Sequence, residues 1–375
     1  MHSLDDYIYE LPESAIGQEL ASPPDRCKFL VYDTSTKETS HHIFHEIERI
    51  LPTDSLLIFN TSKVVKARLY LPSLKGEIFF LRAHDEYTFD ALIRPGKKFQ
   101  VGDLISLDDT EITFTVVEMT ENGRRLQCSE PILDVLEEYG HMPLPPYISY
   151  SEDKSGAYQP LQAKQPGSVA APTASLHFTE KLLSKLRSQG IQTDETVLHI
   201  WLGTFKQVDV DDITSYDIHA EEIEITCKLF ERIAQQKIHE KSVIAVWTTV
   251  TRTLETMPYI WCLHHSEIQK HLSAEAIQRW KSLTKDISSE TAEWFIHESK
   301  FTENGFRGET KLYLYPGKST YILDGLITNF HLPKSSLLML VATLMWYDEM
   351  MKVYQEAISH QYKFYSFGDA MYVQL

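Results

Sequence analysis

Apolar positions along this chain fall into two textures. In residues 1–60, and again beyond about residue 190, they form continuous runs such as "KFLVYD", "SLLIFN", "TVLHIWLGTF" and "SVIAVWTT". Unbroken runs of that length suit strands covered on both faces, as in a parallel sheet. Between them lie stretches that predict helices: "HHIFHEIERIL", "ITCKLFERIAQQKIHE", and a helix capped by Thr179, with Leu182, Leu183 and Leu186 on one side and Gly190 at its stop. Pro333 predicts the first turn of a long final helix, "KSSLLMLVATLMWYDEMMKVYQEAIS". From about Arg68 the texture changes. "GEIFFLRA", "YTFDALIR", "DLISL", "EITFTVVEM" and "RRLQCS" are short β-rich runs punctuated by Gly, Asp and Asn, the spacing of a small antiparallel barrel.

Pro143, Pro145 and Pro146 then make a stiff connector, and a polar stretch at 149–166 precedes the return of the first texture. Residues 265–309 read as a polar, partly helical insertion, after which "TKLYLYPG" and "TYILDGLITNFHL" resume the sheet. The expected fold class is α/β: a split α/β domain, residues 1–61 and 150–375, carrying an inserted antiparallel β-barrel domain, residues 62–149. A pocket is expected at strand ends and between the two domains.

Composition narrows the class. Of the 375 residues 43% are hydrophobic, which excludes a disordered or fibrous chain. No run approaches the length of about 20 apolar residues that spans a membrane. The start, "MHSLDDYIYELPES", lacks the basic-then-apolar pattern of a signal peptide. Cys27, Cys128, Cys227 and Cys262 are scattered without a CxxC pair, so a cytoplasmic protein with neither a disulfide framework nor a thiolate zinc site is expected. The net charge of −17 weighs against loose nucleic-acid binding, yet between Lys63 and Lys98 eight Lys/Arg face four acids. Alone, that run reads as an ordinary solvated surface.

Familiar catalytic motifs are missing: there is no G-x-G-x-x-G after a strand, no G-x-x-x-x-G-K-[ST], no H-E-x-x-H and no G-x-S-x-G. His41, His42 and His45 share a predicted helix but have no matched carboxylate or Cys nearby, and read as surface histidines. What remains is polar residues at the ends of apolar runs. Gly203 and Thr204 end one run; Thr248 and Thr249 end another, followed by Arg252 and Glu255 at a helix start. His219 and Glu221, two apart, share a face if extended. Asn329 and His331 precede a helix N-terminus, and Gly368 and Asp369 close the chain. Singly, each has a bland reading as a surface pair, a cap or a hydrogen-bonded structural residue. Jointly they mark the carboxyl ends of strands, where α/β sheets bind ligands. One stretch resists a bland reading: "GSVAAPTASLHFTEKLL" puts tiny residues, Pro, Thr and His177 before a helix, as if backbone must lie close against something.

Together "YELPES", "ALIRPGKK", "GHMPLPPYI", "VAAPTASLHFT", "IHAE", "TTVTRTLE", "LITNFHLPKSSLLML" and "YSFGDAM" resemble the S-adenosylmethionine:tRNA ribosyltransferase-isomerase family of queuosine biosynthesis, almost end to end. The resemblance implies the same split α/β domain with an inserted barrel. It also implies transfer of the ribosyl group of S-adenosylmethionine to a 7-aminomethyl-7-deazaguanine in the tRNA anticodon, giving epoxyqueuosine, adenine and methionine. The sulfonium acidifies the C5′ protons, so a positioned base can start the rearrangement in a dry pocket. Carried over by position, His177 or Glu221 is the candidate base, with His219 and Arg252 completing the catalytic set. Arg252 suits the methionine carboxylate or a tRNA phosphate. Ala170, Ala171, Pro172, Thr173, Gly203, Thr204, Thr248, Thr249, Glu255, Asn329, His331 and Asp369 would line the substrate pocket. Lys63, Arg68 and Lys97 would meet the RNA backbone. S-adenosylmethionine is the co-substrate; no metal, no membrane and a monomer are expected.

The chain departs from the family pattern at several places. It has "NTSK" at Asn60–Lys63 for N-N-T-R, Phe79 for Glu, Tyr216 for His, Ser175 for Gly and Gln207 for Pro. Three of the six tryptophans, Trp201, Trp247 and Trp346, stand where the family has glycine. Their bulk would overpack a core or block a pocket. One explanation is a remodelled, catalytically silent relative that binds RNA or a nucleoside; the other is a source that reads UGA as glycine. An ordinary methyltransferase lacks support, because its glycine-rich first loop is missing.

Overall fold

The computed structural model describes residues 2–121, 123–201, 208–302 and 304–375. Its centre is a ten-stranded mixed sheet. Four parallel strands, Gln192–Leu198, Leu56–Asn60, Val243–Val246 and Gly325–Asn329, lie side by side in that order. The middle two are buried at every position, as their unbroken apolar runs require. Antiparallel neighbours extend the sheet both ways: Glu221–Thr226, Gly305–Thr310 and Ile296–Thr302 on one side, Ala370–Gln374 on the other. Lys28–Asp33 and Glu38–Ile43 complete that second side. The sheet is therefore mixed: outside the four central strands only Lys28–Asp33 on Ala370–Gln374 is a parallel pair.

Several expectations shift. "HHIFHEIERIL" is not one helix: His41 and His42 lie on the edge strand Glu38–Ile43, and only Ile47–Ile50 is α-helical. A hairpin to Lys28–Asp33 satisfies those backbone groups and overrides the local pattern. Residues 265–309 are not a separate insertion, because Ile296–Thr302 and Gly305–Thr310 pair into the sheet. "TKLYLYPG" forms no strand beyond Thr310, the last residue of Gly305–Thr310, and Pro333 is not in the first helical turn; Ser335 caps Ser336–Met345, its hydroxyl accepting from the Leu338 amide. The long final helix breaks at Trp346 into Ser336–Met345 and Tyr347–Ser359.

The β-rich segment forms a six-stranded antiparallel sheet, ordered Arg68–Leu71, Gly76–Ala83, Thr88–Arg94, Gly123–Cys128, Thr113–Thr120 and Leu104–Ser106. The two edge strands are not paired with each other, so it is a curled half-barrel rather than a closed barrel. Asp108 accepts from the Ser73 amide and hydroxyl at 2.8 and 2.6 Å, a side-chain link across part of that gap. This sheet wraps its own apolar cluster, including Leu69, Phe80, Phe89, Phe114 and Leu136.

The run of small residues has a packing explanation. Val169 belongs to the half-barrel cluster, Ala170 to the main core, Ala174 to the cluster around Phe29 and Phe178, and Ala171 to a fourth around Tyr158. The segment threads the junction of all four, where larger side chains would hold them apart. Val169 N–H donates to the Ile200 carbonyl at 2.8 Å, fixing its path.

Candidate functional site

Strand ends set the site. Leu56–Asn60 ends on a buried side chain: Asn60 Nδ2 donates to the Leu198 carbonyl at 2.9 Å and the Thr249 hydroxyl at 3.2 Å, and its Oδ1 accepts from the Leu198 amide at 3.1 Å. One amide thus ties the ends of two parallel strands to the helix Thr248–Ile268. Sequence reasoning passed over Asn60 as a strand boundary. An Asn directly after an apolar run is the signal that was there, and turns share it.

Beside this tie lies a cavity of about 30 Å³ whose walls include His219, Glu221, Thr248, Thr249 and Arg252. Strand pairing brings them together. Glu221 begins a strand antiparallel to Gln192–Leu198, so it stands beside that strand's carboxyl end. Thr248, Thr249 and Arg252 occupy the first turns of the helix after Val243–Val246. Arg252 is buried; Nη1 donates to Glu221 Oε2, and Nη2 to the carbonyls of His219 and Thr310 at 2.9 and 3.0 Å. Burial pulls its guanidinium below the ordinary arginine range, opposed by the Glu221 charge. His219 Nε2 lies 3.4 Å from Glu221 Oε1. Among the described residues, two buried polar atoms here have no partner, Arg252 Nε and Thr248 Oγ1. Such atoms are costly unless a ligand meets them. Beyond Ile218 and Tyr313, shared walls, the cavity adjoins an open groove bearing Tyr216, Trp294, Lys311 and Lys318. Tyr216 packs edge-on against Tyr313, ring centroids 5.6 Å apart.

A second polar cluster is closed. Asn329, at the end of Gly325–Asn329, accepts from the Thr173 hydroxyl at 2.8 Å. Its Nδ2 lies 3.2 Å from His177 Nε2 and 3.3 and 3.2 Å from the carbonyls of Gly368 and Asp369. His177 Nδ1 lies 3.3 Å from the Pro24 carbonyl, which places the proton on Nδ1 and leaves Nε2 to accept from Asn329. Burial lowers its pKa to about 4, so the ring is neutral at pH 7. Asp369 accepts from the Lys28 and Lys363 amides, both at 2.7 Å; burial raises its pKa against those bonds. His331 is buried beside Trp247, and its Nε2 lies 2.8 Å from the Thr328 hydroxyl.

The predicted site residues therefore separate. Ala170, Ala171, Pro172, Thr173, His177, Asn329, His331 and Asp369 are buried but do not line the cavity. Nor does Glu255: its carboxylate accepts from the amides of Tyr321, Ile322 and Leu323 at 2.6, 3.0 and 2.9 Å, anchoring that loop. Gly203, Thr204 and Gln207 lie outside the described residues. Lys63 and Lys97 make no ion pair among the described residues, whereas Arg68 pairs with Glu77 and stacks on Phe79, its guanidinium carbon 5.2 Å from the ring centre. One group among the described residues could hold a metal: His41, Glu356 and His360, with donor atoms within 4.8 Å of one another, none of them lining the cavity. No described helix is long and apolar enough to cross a membrane.

A polar cavity at the carboxyl ends of parallel strands puts the candidate site of this α/β protein where open α/β sheets bind ligands. The comparisons make the class particular. A family model described as "Queuosine biosynthesis protein" matches residues 4–373. S-adenosylmethionine:tRNA ribosyltransferase-isomerases from Desulforamulus reducens and Halothermothrix orenii are each 36% identical over 99% of both chains. The crystal structure of S-adenosylmethionine tRNA ribosyltransferase from Thermotoga maritima is similar with a TM-score of 0.51 at 28% identity, covering 98% of this chain and 99% of that one. This chain belongs to that queuosine biosynthesis family.

Proposed function

We propose that this chain is a tRNA-modifying enzyme that moves the ribosyl group of S-adenosylmethionine onto 7-aminomethyl-7-deazaguanine in the tRNA anticodon, releasing adenine and methionine. The observation that carries the reading is the cavity. It gathers five of the residues picked out from sequence, and Arg252 Nε and Thr248 Oγ1 there have no partner among the described residues. Glu221 is the base that removes the acidified C5′ proton. Arg252 holds the Glu221 carboxylate in place with one end of its fork and offers Nε to the ligand. His219, against the other Glu221 oxygen, is placed to relay the proton outward. His177 serves as frame, not base, because both its nitrogens are engaged and it is fully buried.

Two features support RNA as the acceptor's carrier. Lys63 and Lys97 make no ion pair among the described residues, and the half-barrel that carries Lys97 has its own apolar cluster, which fits residues 62–149 acting as a domain that grips the phosphate backbone. The protein works in the cytoplasm, where its tRNA is.

The test is incubation with S-adenosylmethionine and tRNA bearing the aminomethyl-deazaguanine, with free adenine as readout. A specific observation favours a silent relative: the cavity has about one water's share of space, and the Trp247 indole lies close by, against His331. Adenine from the chain, or from a version with glycine at 201, 247 and 346, supports the enzyme. None from either sinks it.

A further inference from the structure

Two tryptophans have backbones that tryptophan does not favour. Trp247 has φ 90° and ψ 155°, and Trp346 has φ 63° and ψ 148°. Positive φ with ψ near 150° is a region that only glycine enters freely, because any Cβ there crowds the flanking carbonyls. The left-handed helical region, where Lys75 stands at φ 49° and ψ 44°, is more forgiving. Both tryptophans occupy the same kind of position, the residue directly before a helix, Thr248–Ile268 and Tyr347–Ser359.

Their surroundings impose these turns. Trp247 N–H donates to the Ile327 carbonyl of the neighbouring strand at 2.7 Å, and its own carbonyl accepts from the Thr251 amide at 3.2 Å. The Trp346 carbonyl accepts from the Met350 amide at 2.9 Å, starting the next helix. Neither indole makes a capping bond, and that of Trp346 is 66% exposed. The exposed Trp346 indole gains nothing that accounts for the strain of the backbone beneath it, whereas the Trp247 indole is buried.

We infer that 247 and 346 are glycine positions: the backbone at both is one that glycine takes freely, and the working protein carries glycine there. The other tryptophans set the contrast. Trp201 has no positive φ and lays its ring over Arg82, 5.0 Å from the guanidinium carbon, so the inference stops short of it. Trp261 and Trp280 sit within helices and stack on each other, and Trp280 Nε1 donates to the Phe230 carbonyl at 3.0 Å. Those two are tryptophans by design. At 247 the exchange also reaches the cavity. The indole lies 5.2 Å from the His331 ring and shares an apolar cluster with Leu337, a cavity wall. Glycine there frees the space behind Thr248 and Thr249 and lets the cavity grow toward His331.

The direct test is peptide mass spectrometry on protein purified from its own source, with the codons read alongside. Glycine is expected at 247 and 346, and tryptophan at 261 and 280. Tryptophan in either of the first two peptides overturns the inference for that position. A second measurement needs only the chain itself: melting of W247G, W247S, W346G and W346S. At an ordinary residue before a helix, serine ranks at or above glycine. A glycine-only backbone reverses that order, with each glycine variant melting about 2–4 °C above its serine counterpart. Serine equal or better at both positions overturns the inference. Neither readout uses catalysis, so the outcome is separate from that of the proposed reaction.

Discussion

Arg252 and Asn329 are both buried side chains at the carboxyl edge of the same parallel strands, yet their surroundings differ in what is left over. Around Asn329 the polar groups find each other: Thr173, His177 and the carbonyls of Gly368 and Asp369 surround its amide. Around Arg252 they do not: Arg252 Nε and Thr248 Oγ1 have no partner among the described residues, and both residues line a cavity. A closed network holds strands and termini in register, whereas an incomplete one keeps binding capacity in reserve. On the proposed reading, the difference makes the first region frame and gives the chemistry to the second.

The largest expected effect tests the second region. Glu221→Gln keeps shape and hydrogen-bonding size but removes the base, and adenine release should fall roughly 10²–10⁴-fold. Melting should change far less than after Arg252→Met, which strands the Glu221 charge in the interior at a cost of about 3–5 kcal/mol. A Glu221→Gln enzyme within tenfold of the parent would move the base elsewhere and dissolve the contrast. The first region answers with stability. Asn329→Ala removes one acceptor and the shared amide, leaving Thr173 and His177 unmatched, and should cost about 3 kcal/mol by denaturant unfolding. Activity measured on the fraction still folded should hold within a few-fold.

Next in size is the acid limb of stability. His177 is buried neutral with its pKa lowered from 6.5 to about 4, and His331 is likewise lowered to about 3. In the unfolded chain both take a proton near pH 6.5, so between pH 6.5 and 4 the unfolded state binds more protons and stability falls as pH falls. The stability is complete above pH 6.5 and is lost through the folded pKa. Across that window His177 alone should account for roughly 3 kcal/mol. His177→Asn should flatten the limb, read by unfolding at pH 7 and pH 4.5. An unchanged slope would mean that the ring is not held as the network requires.

Much of this organisation was legible in sequence, for definite reasons. The unbroken apolar runs of Leu56–Asn60 and Val243–Val246 are what a doubly covered strand needs, and they stand at the centre of the sheet. His219, Glu221 and Arg252 were readable because a two-residue alternation and a helix start are local rules, and in the structure all three meet at one ion pair. The separation of frame from cavity was not readable. His177 and Asn329 are 152 residues apart, and whether a buried histidine faces a ligand or an amide depends on what folding places opposite it. His41 and His42 were misread because an edge strand with exposed polar positions offers little alternation to distinguish it from a helix.

The sharpest comparison uses one small substitution twice. Thr→Val removes a hydroxyl and keeps the branched shape, so packing is held nearly constant while hydrogen bonding changes. At Thr173 the hydroxyl donates to Asn329 Oδ1, and both atoms are buried. Thr173→Val should therefore cost about 1–2 kcal/mol of stability, with the KM for S-adenosylmethionine little changed. At Thr248 the hydroxyl has no partner among the described residues. Thr248→Val should leave stability unchanged or raise it by up to about 1 kcal/mol, because a buried polar group without a partner is a cost. Its effect belongs on the ligand: the KM for S-adenosylmethionine should rise about tenfold, the worth of one hydrogen bond that only the substrate completes. Equal stability losses at the two positions would show that Thr248 serves the frame as Thr173 does.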